Sequence, residues 1–289
     1  MRRTGKAALG LALGLAVLPM AGPLAPLPLQ AETAVPAPVT ALSQALNMPE
    51  VVTILREEGL RNGADLAADL PGGPEDPSWT QVLDRTYDAG RMLAAFDAAF
   101  ARALAGQETA AAEALAFFGS PAGQRIMGLE TGARRALLEE GVEDSAAEAF
   151  AALSEKNPAR VAAIERFVAL NDLIESNVMG SLNSNLAFFR GMAASGAPGL
   201  EMSESEMLAE VWAGEGAARQ ETIDWVYPFL AMAYQPLSDA ELDAYIAFSG
   251  TPAGRVVNAA MFKAFDEVFD AITFDLGRAM GLRMTGQDI

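Results

Sequence analysis

The chain has 289 residues, 20 Lys and Arg against 38 Asp and Glu, a formal net charge of −18, and neither His nor Cys. That alphabet excludes imidazole bases, Ser-His-Asp and Cys-His pairs, His or thiolate metal sites, and disulfides. A chain this acidic is repelled by phosphate backbones and anionic lipid surfaces, so neither nucleic acid nor a peripheral membrane surface is expected as a partner.

Residues 1–31 have the three parts of a secretory signal peptide. Arg2, Arg3 and Lys6 make a basic start, 7–18 is an apolar run ended by Pro19, and a Pro-rich stretch closes at Ala31 before Glu32. The apolar run is shorter than the roughly 20 residues that span a bilayer, and no later segment reaches that length without charge. The expectation is export to the periplasm of a Gram-negative bacterium, with no integral membrane segment in the remaining chain. Absence of Cys suits that oxidising compartment, where unpaired thiols are a hazard.

Residues 32–40 read as an Ala/Pro linker. Beyond it Ala, Leu, Glu, Met and Arg dominate and β-branched runs are scarce. The predicted fold class is all-α: a multi-helix bundle built from two related helical units around a long central helix. Helices are predicted over 48–70, 78–104, 108–118, 121–140, 144–155, 158–192, 204–234, 239–248 and 252–282, with loops over 70–77 and 194–200. Ser120-Pro121, Asn157-Pro158 and Thr251-Pro252 each set a capping side chain before a Pro, whose missing N–H costs nothing in a first turn. Ser203 with Glu206, and Ser238 with Glu241, spell capping boxes. Pro228 is expected to kink the seventh helix. In the last helix Val257, Met261, Phe265, Val268, Ile272 and Leu276 form an apolar stripe.

Residues 116–123 (AFFGSPAG) align without a gap on 247–254 (AFSGTPAG), with six of eight positions identical and a seventh exchanging Ser for Thr. The repeat suggests two copies of one unit, over about 79–140 and 210–268. It divides the chain into a first unit (41–156), a central helix and loop (157–200) and a second unit (201–289). Mechanically the motif is a tight corner. Gly119 and Gly250 are expected to end a helix in the left-handed conformation, Ser120 and Thr251 to cap the next one, and Pro121 and Pro252 to set its first turn. Gly123 and Gly254 would leave room for a neighbouring helix. The alternative is an anion held by bare N–H groups at the new helix start, against which each Pro removes one donor.

An amphipathic helix, A-F-x-G-[ST]-P-A-G and a long helix, in that order, resemble the uncharacterised exported bacterial family called domain of unknown function 2059. The fuller match runs from 237–242 (LSDAEL) through Phe248 and Gly254 to about Phe269; the earlier copy has Gln107 where a capping Ser belongs. The resemblance covers about half of the chain after the leader. It implies an all-helical periplasmic domain and brings no catalytic residues with it.

Carboxylates are the abundant reactive groups. Glu201, Glu204, Glu206 and Glu210 gather at a helix start, where the macrodipole favours acids. Asp266 and Asp270 share a helix face beside Glu267 and read as solvated. Asp239-x-Glu241-x-Asp243 fails as a calcium loop because its sixth position is Ala244. No metal site and no cofactor is expected. Glu175-Ser176 is similar to the Glu-Ser pair of helical lytic transglycosylases, in which a lone Glu in an apolar cleft is the acid. Glu175 is therefore the catalytic candidate, although the Gly-Leu-Met-Gln segment that would accompany it is not found. Tyr87, Tyr227, Tyr234 and Tyr245 read as half-buried helix residues.

The oddest stretch is 177–185, where indifferent helix formers crowd the middle of the predicted central helix. Asn177, Ser181, Asn183, Ser184 and Asn185 are the binding candidates, as the lining of a polar groove between the two units. The bland alternative is a polar packing network or a solvated face. The leading expectation is a non-enzymatic periplasmic module that binds an envelope protein or a small ligand. The alternatives are a cell-wall glycan-cleaving enzyme using Glu175, and a carrier of an apolar ligand. The carrier predicts an internal cavity lined by Met and Phe.

Overall fold

The computed structural model describes residues 35–68, 73, 76–196 and 202–286. The leader, residues 32–34 of the linker, most of the 70–77 loop, and 197–201 with Glu201 lie outside the described residues. Among those described, the regular structure is thirteen α-helices: α1 Ala37–Ala45, α2 Met48–Leu66, α3 Pro77–Thr86, α4 Ala89–Ala103, α5 Glu108–Phe118, α6 Pro121–Ala136, α7 Val142–Lys156, α8 Pro158–Leu170, α9 Leu173–Ala194, α10 Glu204–Ala213, α11 Glu215–Tyr234, α12 Asp239–Ser249 and α13 Pro252–Met284. The chain is an all-α multi-helix bundle, as composition and periodicity predict.

Three helices expected to be continuous are broken. Asp88 leaves helical angles between α3 and α4, and its carboxylate accepts the Arg91 N–H at 2.8 Å, which caps a new helix. Asn171 ends α8, and Asp172 takes the left-handed region at φ 51°, which Asp tolerates better than most side chains. Gly214 separates α10 from α11. In addition, α1 occupies part of the stretch read as a linker, and α11 runs uninterrupted through Pro228.

The predicted central helix is therefore two helices, and the long axis of the bundle is α13, with 33 residues. On it pack α9, α4, α5, α3 and α12; α11 takes α6, α7 and α9. The α9 and α13 helices run side by side in the same direction. Asn258 Nδ2 donates to the Asn171 carbonyl at 3.0 Å near their starts. Further along, Gly191 lies against the Phe274 carbonyl and Gly277 against the Phe188 carbonyl, so close that a Cβ at either would overlap backbone. The predicted α13 stripe is in the core: Val257, Phe265, Val268, Ile272 and Leu276 are buried, Met261 is half-buried against them, and Phe265 meets Phe96 of α4 with centroids 4.7 Å apart.

The two corners share one geometry. Ser120 sits at φ −72°, ψ 159° and Thr251 at φ −73°, ψ 160°. Each hydroxyl donates back to a carbonyl, Phe117 at 2.6 Å and Phe248 at 2.7 Å, and accepts the N–H of Gly123 (3.1 Å) or Gly254 (3.0 Å). Gly119 and Gly250 do not take the left-handed conformation expected of them; their φ values are −76° and −75°. The glycines that the turn requires are Gly123 and Gly254. A Cβ there would lie 2.6 Å from Phe118 Cα or 2.8 Å from Ser249 Cα, so the free space serves the corner's own preceding helix rather than a neighbour. The capped N–H groups are committed to Ser120 and Thr251 and do not face outward for an anion.

Candidate functional site

The bundle holds a partly open cavity of about 170 Å³ between α2, α6, α8, α11, α12 and the start of α13. Its walls are mostly apolar: Met48, Met127 and Met261, with rings from Phe118, Phe167, Phe229, Phe248 and Trp225. Helix breaks and corners place several of these groups. The corners contribute Phe118, Phe248, Ser249 and Gly254, and the α8–α9 break brings Asn171 into the wall.

Glu130 on α6 is the carboxyl group in that wall. The Tyr234 hydroxyl donates to its Oε1 at 2.8 Å, from α11, and the Tyr245 hydroxyl on α12 acts on the same group. Burial pushes its pKa up to about 7, against the pull of both tyrosine hydrogen bonds. Burial and the nearby Glu130 charge also hold both hydroxyls well above the usual tyrosine range. One turn further along α6, Arg134 donates from Nη2 to Glu58 at 2.6 Å and lies over the Trp225 ring, 5.7 Å from its centroid. Its Nε is buried without a hydrogen-bond partner. Thr131 and Asn258 complete the polar lining. Thr131 accepts from Asn47 Nδ2 at 3.1 Å, and Asn258 is bonded to Asn171 as above.

The residues picked from the sequence lie elsewhere. Asn177 is buried, donates Nδ2 to the Leu173 carbonyl of its own helix and leaves Oδ1 without a partner. Ser181, Asn183 and Ser184 are half-buried and Asn185 is exposed. None of the five lines the cavity. Between them, Val178 and Leu182 pack with Val211 of α10 in a small separate cluster. Glu175 is exposed, and Arg219 grips it through both oxygens, with Nη2 to Oε2 at 2.8 Å. That contact holds its carboxyl below the ordinary range. A glycosidic acid needs the opposite: a sheltered group with a raised pKa.

Sequence reasoning also missed Glu130, Tyr234 and Tyr245 as a group. Tyr87, Tyr234 and Tyr245 are buried rather than half-buried. Asp270, read as solvated, is half-buried with Oδ1 unpartnered. One signal for Glu130 was present. Gly123, Met127, Glu130 and Arg134 fall at helical spacing on the face that also carries Ile126, so two charges interrupt an apolar stripe. Among the described residues no three acidic side chains converge to hold a metal ion, and no helix is long and apolar enough to cross a membrane. Comparison with protein-family models, curated proteins and solved structures finds no match.

Proposed function

We propose that this chain is a non-enzymatic binding protein of the cell envelope that holds a small, largely apolar ligand in the cavity. One observation carries the reading: a partly open cavity of about 170 Å³ walled by Met and Phe, with a few polar groups, Glu130, Thr131 and Arg134 from α6 and Tyr234, Tyr245 and Asn258 from other helices. That is the make-up of small-molecule sites. Its volume is near the ~150 Å³ of a dry cavity known to enclose benzene, so the occupant is ring-sized rather than a whole lipid chain. A glycan-cleaving role through Glu175 is not favoured, for the reason given above.

Export through residues 1–31 belongs to the same proposal, supported by the basic, apolar and Pro-rich order of the leader. So does descent of the two corners from one duplicated unit of the domain of unknown function 2059 kind, supported by their shared torsions and hydrogen bonds.

The test is thermal unfolding with toluene and indole as ring-sized probes, on the natural protein and on Met127→Trp, which fills the cavity. A ligand present at about 100 times its Kd should stabilise the natural protein by about 2.7 kcal/mol and the filled variant by much less. Absence of stabilisation by either probe would reject the reading. Periplasmic fractionation with sequencing of the exported N-terminus checks the cellular part.

A further inference from the structure

We infer that the cavity selects a small organic cation, an ammonium group on a ring-sized apolar body, with Glu130 as its counter-charge. This rests on the cavity being a ligand site.

Three observations carry it. First, Glu130 lacks a cation. The groups acting on its carboxyl are the Tyr234 and Tyr245 hydroxyls, and no Lys or Arg is among them. Arg134, one turn away in the same wall, gives Nη2 to Glu58 and its face to the Trp225 ring, leaves its Nε without a partner, and is not among the groups acting on Glu130. A half-buried carboxylate against mostly apolar walls is costly unless a positive group meets it, and a ligand can supply that group.

Second, the surrounding surface is aromatic. Phe167 lies 4.9 Å from Tyr245 and 5.5 Å from Tyr234, centroid to centroid, and Trp225 stacks on Phe229 at 4.8 Å. Ring faces carry negative potential and attract a desolvated ammonium. Third, the whole chain carries −18, a field that concentrates cations and disfavours anions on approach. A carboxylate ligand would meet Glu130 as a like charge, and a plain hydrocarbon would leave it unmatched.

Calorimetric titration separates these cases with four probes of one size: benzylamine, benzyl alcohol, toluene and benzoate. At about pH 8 the natural protein should bind benzylamine about tenfold or more tighter than toluene, a preference of the size expected for a desolvated cation–π site. Lowering the pH to about 5 should erase that advantage as Glu130 takes up a proton. The groups around Glu130 are Tyr234 from α11, Tyr245 from α12 and Arg134 on its own helix, with Glu58 of α2 behind Arg134.

In Glu130→Gln the amine advantage should vanish at every pH. In Tyr234→Phe, which keeps the carboxylate, it should persist. Toluene binding with no amine preference would overturn this inference and leave the cavity reading standing, as would a preference for benzoate. Silence from all four probes would reject the cavity reading itself. Loss of the preference in Tyr234→Phe with Glu130 intact would also overturn the inference.

Discussion

The Phe117 and Phe248 rings stack with centroids 3.9 Å apart and planes within 3°. They occupy the same position in the two eight-residue segments, one before each corner. Contact between equivalent positions is what a two-fold arrangement produces. The packing around them is partly reciprocal: α13 lies along α4, and α6 lies along α11. Phe118 and Tyr245 close the group edge-on, at 6.3 Å and 86°. A double-mutant cycle of Phe117→Ala and Phe248→Ala should therefore return a coupling of about 0.5–1.5 kcal/mol, beyond the area each ring buries. Additive single losses would show that the two rings do not recognise each other.

Glycines on a single helix, α6, should respond in opposite directions. Gly123→Ala pushes a methyl into the Phe117 carbonyl and the Phe118 backbone, neither of which can move without opening the corner. A loss of about 1–3 kcal/mol is expected, the scale of overpacking. Gly128 and Gly132 have open space where a Cβ would stand. Alanine there should stabilise by about 0.5–1 kcal/mol through better helix propensity and a less free unfolded chain. Urea denaturation of the three variants checks both signs.

The difference between those glycines marks what could be read from the sequence. Caps, capping boxes and corners depend on side chains within four residues of the backbone groups they satisfy, and so Ser120, Ser203, Ser238 and Thr251 were legible. The break at Asn171 and Asp172 was not, because apolar residues continue across it, Phe167 and Val168 before and Leu173 and Ile174 after, and Asp tolerates the left-handed region. The candidate site was less legible still. The Tyr234–Glu130 bond joins residues 104 apart, and nothing local distinguishes Glu130 from the solvated acids around it except its place in an apolar stripe. The Asn/Ser stretch drew attention for its composition, but helix α9 turns it away from the cavity.

Arg160 offers a sharper test of how the α11–α12 turn is held. The side chain is buried on α8. It donates from Nη2 to the Tyr234 and Leu237 carbonyls at 2.6 and 2.9 Å, and from Nη1 to Asp239 at 2.9 Å. Only a planar fork reaches three acceptors in two directions. Arg160→Lys should lose part of the set, and Arg160→Ala should cost about 1–3 kcal/mol, chiefly by stranding the Leu237 carbonyl, since the Tyr234 carbonyl keeps the Leu237 N–H and Asp239 is exposed. Because Tyr234 carries one of those carbonyls, Arg160→Ala should also weaken toluene binding in the cavity. Wild-type stability in Arg160→Ala would contradict this account.

In contrast, Glu175→Gln should change stability by no more than about 1 kcal/mol, since its partner Arg219 is a surface group that also pairs with Glu215 at 2.8 Å. Chemical denaturation at low and high salt measures it. A large loss would mean that the Glu175–Arg219 contact braces α9 against α11 in a way its exposure does not suggest.

Glu130 predicts an unusual pH dependence. An unfolded Glu titrates near 4.5, whereas in the folded chain burial raises this one to about 7. Between those values the folded state holds more protons than the unfolded state, so stability falls as pH rises through the window and levels off above it. The rise corresponds to roughly 3 kcal/mol at full extent. Burial raises Asp97 and Asp270 as well, in the same sense. Glu204 and Glu241, held low by Arg190 and Ser238 respectively, act oppositely and at more acidic pH, below the ordinary carboxylate range. Glu130→Gln keeps an acceptor for the tyrosine hydroxyls and removes the titration. The stability of Glu130→Gln relative to the natural protein should therefore climb by about 2–3 kcal/mol between pH 4.5 and 7.5. Parallel stability curves for the two proteins across that range would show that burial does not raise the Glu130 carboxyl, and the pH dependence proposed for amine binding would lose its basis.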